Sequence, residues 1–223
     1  MLHQPVFDIS PKPFSIRAFA VESAGSWDTD GELKVWLQTH WMGGSPGNKL
    51  KQDLRKSKAD IIAIQTYISQ QVIGSQDGSP VIPSDASSVE GGTVNTFLSF
   101  LSDNGVATDP TKVEQQLKTS PQILQVDEGV DAVYKIGRDL CVYTTKRVLL
   151  IDKQGITGKR VEYRSIPLRY ALAYKIETSG HLMSEPKIRI YMEGAPDVKQ
   201  DLAKGSSDVW GVNKILANHI LEK

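Results

Sequence analysis

Alternating polar and apolar residues mark two strand-like segments that lie far apart in the chain. Residues 32–37 and 187–192 each place an apolar residue at every second position, which is the period of a half-buried strand. A helical pattern follows each of them, with apolar residues three or four positions apart on a single stripe. These stripes consist of Ile61, Ile64, Ile68 and Val72, and of Val209, Val212, Leu216 and Ile220.

The two segments belong to longer stretches that resemble each other. Residues 21–37 align without gaps with residues 176–192, and residues 51–54 (KQDL) recur as residues 199–202. The offset falls from 155 to 148 between these matches, so the first copy carries a loop that is seven residues longer. Two matches in the same order predict an internal repeat of three strands and a helix. Asp60 and Asp208 stand where carboxylates cap the two helices.

Four further strands precede the second copy. Residues 130–136, 140–144, 148–151 and 159–166 are rich in β-branched and aromatic residues and are joined by short turns, which indicates an antiparallel meander. Residues 128–223 therefore predict about seven strands and a C-terminal helix. The first copy has only a remnant of the fourth strand, at residues 6–10.

These patterns divide the chain into four parts. We expect a partial repeat at 1–73, a flexible linker rich in Gly, Ser and Pro at 74–91, a helical connector at 92–119, and a complete domain at 120–223. The connector should hold two helices, one at 94–104 and one from Pro110 to about Leu117.

Several motifs of the C-terminal part resemble those of the bacterial PH-like (pleckstrin-homology-like) domain family. They are residues 138–147 (RDLCVYTTKR), 152–159 (DKQGITGK), 161–167 (VEYRSIP) and 177–181 (ETSGH). The resemblance covers 110–223 as a complete copy and 1–73 as a partial one. It implies a mainly β fold with helices, an antiparallel barrel closed by a C-terminal helix. It also implies recognition rather than catalysis, by binding lipid headgroups or protein and by self-association. Glu185-Pro186 departs from the family pattern.

Composition excludes several other classes of protein. The 223 residues carry 26 basic and 26 acidic side chains and 39% hydrophobic residues, which suits a packed globular domain. No apolar run approaches the roughly 20 residues of a membrane-spanning helix, and the N-terminus does not resemble a signal peptide. A single Cys141 cannot form an intrachain disulfide, so we expect a cytoplasmic protein. The zero net charge combines an acidic stretch at 74–109 with a basic one at 135–175.

The sequence contains no pattern that predicts a catalytic, cofactor or metal site. The four histidines are scattered and lack partners at ligand spacing. Residues 154–159 superficially resemble a phosphate loop, but they join two strands and so favour a simple hairpin. Cys141 alternates with its neighbours as a small core residue. We therefore expect no enzyme, no cofactor and no small-molecule substrate.

Two groups of residues remain as binding candidates. The hairpin turns of the basic stretch predict a site for anions or lipid headgroups at Lys146, Arg147, Lys153, Lys159 and Arg160. The alternative is that these are ordinary solvated charges. Nucleic acid is not expected, because Tyr143 and Tyr163 fit the strand pattern as core residues. Trp27 and Trp41 fall in predicted loops, where they would either anchor a protein interface or pack against the second domain.

The resulting hypothesis is a non-enzymatic interaction module that binds protein and self-associates as a homo-oligomer. The alternative is peripheral binding to anionic membranes through the basic turns. A three-stranded sheet with one helix leaves open strand edges. We expect the partial repeat to be covered by the 94–104 helix, by the complete domain, by another chain, or by residues upstream.

Overall fold

The computed structural model describes residues 14–23, 31–39, 48–54, 61–73, 108–119, 122–154, 160–178, 186–202 and 208–221. Its first part, called here the N-terminal block, has three strands and a helix. These are β1 (Phe14–Glu22), β2 (Gly31–Thr39), β3 (Asn48–Leu54) and α1 (Ile61–Ile73). The predicted strand at 6–10 and the predicted helix at 94–104 lie outside the described residues.

The second part, called here the C-terminal module, contains seven strands and ends in a helix, as the sequence predicts. Its elements are α2 (Pro110–Thr119), β4 (Val130–Ile136), β5 (Asp139–Thr144), β6 (Arg147–Gln154), β7 (Arg160–Pro167), a 3-10 turn (Leu168–Tyr170), β8 (Ala171–Glu177), β9 (Lys187–Met192), β10 (Val198–Asp201) and α3 (Val209–Leu221). The expected mainly β fold with antiparallel pairing is confirmed.

The N-terminal block extends a sheet of the module. One sheet has the order β3-β2-β1-β7-β6-β5-β4, and a second has the order β10-β9-β8. We call β4–β7 the front sheet and β8–β10 the back sheet. β1 pairs antiparallel with β7, from Phe19 opposite Ser165 to Glu22 opposite Glu162. Of the four sources of cover that the sequence left open, the described residues show one, the module of the same chain, which pairs with β1.

Three apolar clusters hold these layers together. Helix α2 packs Val113 and Leu117 on one face of the front sheet, and the back sheet with α3 packs on the opposite face. The cluster beneath the back sheet continues into the N-terminal block at Trp36, which is buried. Helix α1 covers the other face of β1 and β2, where Phe19 is fully buried.

The N-terminal block and the rear of the module have the same strand pairing. β1 and β2 pair Glu22 with Glu32 and have a register irregularity between Ile16 and Ala18. β8 and β9 show the same pairing and the same irregularity at positions 155 residues higher. The bounds of α1 and α3 differ by 148 residues at both ends, which is the offset of the second sequence match. Equal register places equivalent residues on equivalent faces.

A carboxylate caps the C-terminal helix, as the sequence predicts. Asp208 caps α3, since its Oδ1 accepts the backbone N–H of Gly211 at 2.8 Å. Asp60 lies outside the described residues.

None of the described helices has the length and apolar character needed to cross a bilayer. The predicted boundaries of the four parts stay a prediction, with α2 falling inside the expected connector.

Candidate functional site

The surface of the module that contacts the N-terminal block, called here the docking face, is centred on Arg147. Arg147 is the first residue of β6, and its side chain is fully buried. Its Nη1 donates to Ser69 Oγ in α1 at 2.7 Å and to Ser165 Oγ in β7 at 2.8 Å. A single guanidinium therefore joins a helix of the block to two strands of the front sheet.

The remaining N–H groups of Arg147 are satisfied within the module. Nε donates to Glu128 Oε1 at 2.8 Å, and Nη2 donates to Glu128 Oε2 at 3.0 Å and to the Ile123 carbonyl at 2.8 Å. Thr144 Oγ1 also donates to Glu128, at 2.8 Å. A buried ion pair is tolerated only with such complete hydrogen bonding, because both charges have lost their hydration.

Helix α1 adds a second polar contact to the docking face. Gln65 is fully buried, and its Nε2 donates to Ser165 Oγ at 2.8 Å. One turn away from it on the same helix, Ile62 packs against the apolar cluster of the front sheet. Thr66 Oγ1 donates to the Gln122 carbonyl at 2.7 Å. This face of α1 thus mixes apolar packing with specific hydrogen bonds.

An ion-pair network joins the block and the module on the opposite face of the sheet. Lys34 Nζ in β2 lies 2.6 Å from Glu162 in β7 and 3.2 Å from Glu22 in β1. Burial of Glu162 favours its neutral form, but its bonds to Lys34 and Arg164 outweigh this and hold the pKa below the usual value. Burial similarly opposes the charge of Lys34, yet its carboxylate partners raise its pKa.

Lys34 stands beside a row of carboxylates that crosses the sheet. Register places five acidic residues directly opposite one another on successive strands, namely Asp53, Glu32, Glu22, Glu162 and Asp152. Like charges at such cross-strand positions repel. Burial, and then the neighbouring Asp139, raise the pKa of Asp152. Arg160 pairs with Glu22, so the cations that offset this row come from both parts of the chain.

A third contact joins the turn between β9 and β10 to the N-terminal block. Glu193 receives a hydrogen bond from Gln38 Nε2 at 3.0 Å and an ion pair from Arg17 at 3.4 Å. The Arg17 guanidinium also stacks 4.2 Å from the ring centre of Tyr170. Gly194 has a φ of +69° and lies so close that a Cβ there would meet Arg17 Cγ at 2.9 Å. Contact this close favours glycine at the position.

The structure separates the basic residues that the sequence grouped as an anion site. Arg147 is fully buried, which corrects the expectation that it lies on an exposed turn, because its guanidinium donates to Ser69, Ser165, Glu128 and the Ile123 carbonyl in the interior. Lys146 is largely buried and pairs with Asp127 at 2.6 Å. Lys146 and Lys153 lie near opposite ends of β6, roughly 23 Å apart at about 3.3 Å per residue.

The other candidates of that group lie at the far end of the front sheet or beyond the described residues. Burial lowers the pKa of Lys153, and the nearby charges of Lys135 and Arg138 lower it further. Arg160 is about one third exposed and pairs with Glu22. Lys159, Trp27 and Trp41 lie outside the described residues, so their predicted roles stay predictions.

The described residues contain neither a metal-binding cluster nor an exposed thiol. Among the described residues, no three His, Cys, Asp or Glu side chains come together in a way that could hold a metal ion. Cys141 is a buried free thiol, and burial raises its pKa to about 12. Tyr143 and Tyr163 are core residues, as the strand pattern predicts.

Sequence reasoning missed most of the residues of the docking face. Ser69 and Gln65 lie beside the apolar stripe of α1 at a spacing of four, where polar residues ordinarily face water. Glu128 precedes the first strand of the module and looks like a turn residue. The only sequence signal was the arginine between Lys146 and the apolar run of β6, and it does not distinguish a buried arginine from an exposed one.

Comparisons with known proteins match half of the chain. The family profile described as Bacterial PH domain matches residues 98–220. The uncharacterized protein YjqA of Bacillus subtilis (strain 168) is 36% identical over 123 residues, which cover 54% of this chain and 95% of that protein. A DUF1696 family protein with a pleckstrin-homology domain from Shewanella loihica PV-4 is 33% identical, with 50% of this chain and 93% of that chain covered and a TM-score of 0.46. A pleckstrin homology domain from Shewanella amazonensis SB2B is 35% identical, with 56% of this chain and 98% of that chain covered and a TM-score of 0.44.

Proposed function

The chain belongs to the bacterial PH domain family, and from this premise we propose that it is a non-enzymatic protein-binding module that acts through the docking face of its front sheet. One observation carries the proposal. The docking face takes up a strand and a helix that come from outside the matched residues 98–220. The occupant in this chain is its own N-terminal block.

The form of this contact supports recognition of a folded strand-and-helix unit. β1 adds to the edge of β7, which is the β-augmentation mode of binding, in which main-chain hydrogen bonds supply affinity. Side chains then supply specificity, since Ser69 and Gln65 of α1 meet Arg147 and Ser165 of the front sheet. A strand without a helix equivalent to α1 would leave Arg147 without its Ser69 acceptor, which costs affinity.

Self-association follows from the same contact by exchange of the N-terminal block between two chains. Domain exchange reuses an existing interface and needs no new surface. A tethered block has an effective concentration of the order of mM, so intramolecular docking prevails in dilute solution. We therefore propose that homo-oligomers form by exchange at high protein concentration. A cytoplasmic location remains part of the proposal, in keeping with the free thiol of Cys141.

Cleavage between the two parts tests the proposal. A protease site placed within residues 74–91 of the full chain is cut after folding, and the fragments are run on a sizing column. We expect the fragments to elute together, because the docking face binds the block without a covalent link. Ser69→Arg should separate them, since it places a second cation against Arg147. Tyr67→Arg, on the exposed face of α1, is the matched control and should not. Fragments that separate in the unaltered chain would refute the proposal.

Binding to anionic membranes is a second candidate, favoured by one observation. Lys135, Arg138 and Lys153 lie near one another at the β4–β5 end of the front sheet, where burial, and then the charges of Lys135 and Arg138, lower the pKa of Lys153. Co-sedimentation with vesicles rich in phosphatidylglycerol tests it. The candidate requires binding that weakens in high salt and with Lys153→Ala. Lys146→Ala, at the opposite end of β6, is the control and should have no effect. Equal binding to neutral vesicles would exclude the candidate.

A further inference from the structure

Strand β3 has an open edge and exposed side chains on both of its faces. It is the end strand of the seven-stranded sheet in the described part of the chain. Residues 49–53 are all exposed, and Leu50 keeps 57% of its surface open. Helix α1 packs chiefly over β1 and β7, so it leaves this leucine uncovered. An open strand edge is a template for pairing with a further strand.

The apolar and charged residues of β3 lie on opposite faces of the sheet. Leu50 is paired with Val35, which packs against the apolar cluster under α1. Leu54 packs against the same cluster, because residues four apart in a strand share a face. Lys51 and Asp53 alternate with these leucines and therefore lie on the opposite face.

Asp53 forms the outer end of the carboxylate row that crosses the sheet. It lies directly opposite Glu32 on β2, so the two carboxylates repel each other. The described ion pairs of Lys34 and Lys51 go to other carboxylates of the row and not to Asp53, with Lys51 Nζ 2.8 Å from Glu32 Oε1. A cation brought by another molecule would therefore stabilise Asp53.

The segment from Leu50 to Leu54 (LKQDL) is complementary to itself in the antiparallel direction. We infer that β3 pairs with β3 of a second copy about a two-fold axis at Gln52, which forms a homodimer. Leu50 then meets Leu54 of the second copy, and Lys51 meets Asp53 of the second copy. Each of these contacts occurs twice, as two-fold symmetry requires. The contact lies outside the docking face and does not depend on the proposed function.

Charge selects this register over its neighbours. Antiparallel pairing about a residue keeps the apolar faces of both copies on one side of the enlarged sheet. An axis at Lys51 would place two lysines opposite each other, and an axis at Asp53 would do the same with two aspartates. An axis at Leu50 would place Lys49 opposite Lys51. Because like charges in these positions repel, only the axis at Gln52 avoids repulsion within β3.

Strand β10 carries the same four residues, KQDL, at 199–202, but lacks an exposed apolar partner for them. Val198 and Leu202 are the counterparts of Leu50 and Leu54, and both are buried in the core of the module. The strand also has four residues where β3 has seven. Pairing at β10 would be shorter and would bury no leucine, so β10 provides the matched control.

Opposite charge reversals in β3 test the inference. Sedimentation of the full chain at increasing concentration should show a dimer of twice the 24.6 kDa chain mass. Lys51→Asp and Asp53→Lys each make both cross-strand charge pairs repulsive, so each should raise the dissociation constant roughly tenfold or more. An equal mixture of the two variants should dimerise again, because every reversed charge of one chain then meets an opposite charge of the other.

The same reversals in β10, Lys199→Asp and Asp201→Lys, should leave the dissociation constant unchanged. A chain that stays monomeric at every concentration overturns the inference. Dimers that Asp53→Lys leaves intact, as exchange of the N-terminal block would give, also overturn it, and so does a mixture of the two β3 variants that fails to associate. None of these outcomes changes whether the cleaved fragments elute together, because β1, β7 and α1 make that contact.

Discussion

Nη1 of Arg147 and Oγ of Ser69 lie 2.7 Å apart in the interior, although the two residues belong to different parts of the chain. The first stands in the module and the second in the helix of the N-terminal block. Both are fully buried, so neither can exchange this bond for one to water. A contact of this kind ties the position of the block to the electrostatics of the module core.

Removing Arg147 should be among the most damaging single changes in the protein. Arg147→Met leaves the buried Glu128 without its cation, and such losses typically cost 3–5 kcal/mol. The free energy of unfolding in urea measures this loss. We expect the double variant Arg147→Met/Glu128→Leu to recover much of the stability, because it leaves no buried charge unpaired. A double variant as unstable as the single one would show that the ion pair is not the source of the loss.

Gly194→Ala should loosen the N-terminal block specifically. The positive φ alone costs about 1–2 kcal/mol for an L-residue, and the new methyl would also press on Arg17 and Gln38. Gly137 also has a positive φ, of +59°, but faces open space, so Gly137→Ala carries the backbone cost alone. In the cleaved chain, Gly194→Ala should weaken binding of the block while Gly137→Ala should not. Equal effects of the two changes would contradict the contact described.

Acid should weaken the junction through Glu162. Its pKa is lower in the folded chain than the usual 4.5, so its contribution to stability is present above that value and is lost as pH falls through the folded pKa. Lys34 has a pKa above its usual value of 10.5, so its contribution to stability is fully present below pH 10.5. That contribution is lost only as the pH rises through the higher pKa of the folded chain. Affinity of the cleaved halves should therefore be steady from about pH 5 to 10 and fall below pH 4. Glu162→Gln should weaken binding at pH 7 and flatten the acid side of this profile.

Asp152→Asn should stabilise the chain at neutral pH. Burial and the adjacent Asp139 raise the pKa of Asp152, so its ionised form is disfavoured in the folded state. Relief of a cross-strand repulsion contributes a few tenths to about 1 kcal/mol. The gain should disappear near pH 3, where the carboxyl is protonated without the substitution. Asp201→Asn, at an exposed carboxylate beside Lys187, is the control and should not stabilise.

Much of the architecture follows from local patterns in the sequence. The period of two at residues 187–192 predicts β9, and the stripe from Val209 to Ile220 predicts α3. The short turns of the module predict its antiparallel meander, because so few residues cannot make a parallel crossover. The match between residues 21–37 and 176–192 anticipated the equal register of the two strand pairs. Such patterns arise from neighbouring residues, so each segment determines its own secondary structure.

The tertiary structure alone decided where the N-terminal block lies and what Arg147 does. An arginine after a lysine in a hairpin turn resembles a surface cation, and its burial becomes evident only when Ser69 and Glu128, distant in sequence, are brought to it. The row of carboxylates from Asp53 to Asp152 is likewise invisible until register aligns five strands. Periodicity shows which face of an element is apolar. It does not show which distant element covers that face, because pairing of strand edges and buried charges is settled by contacts between remote parts of the chain.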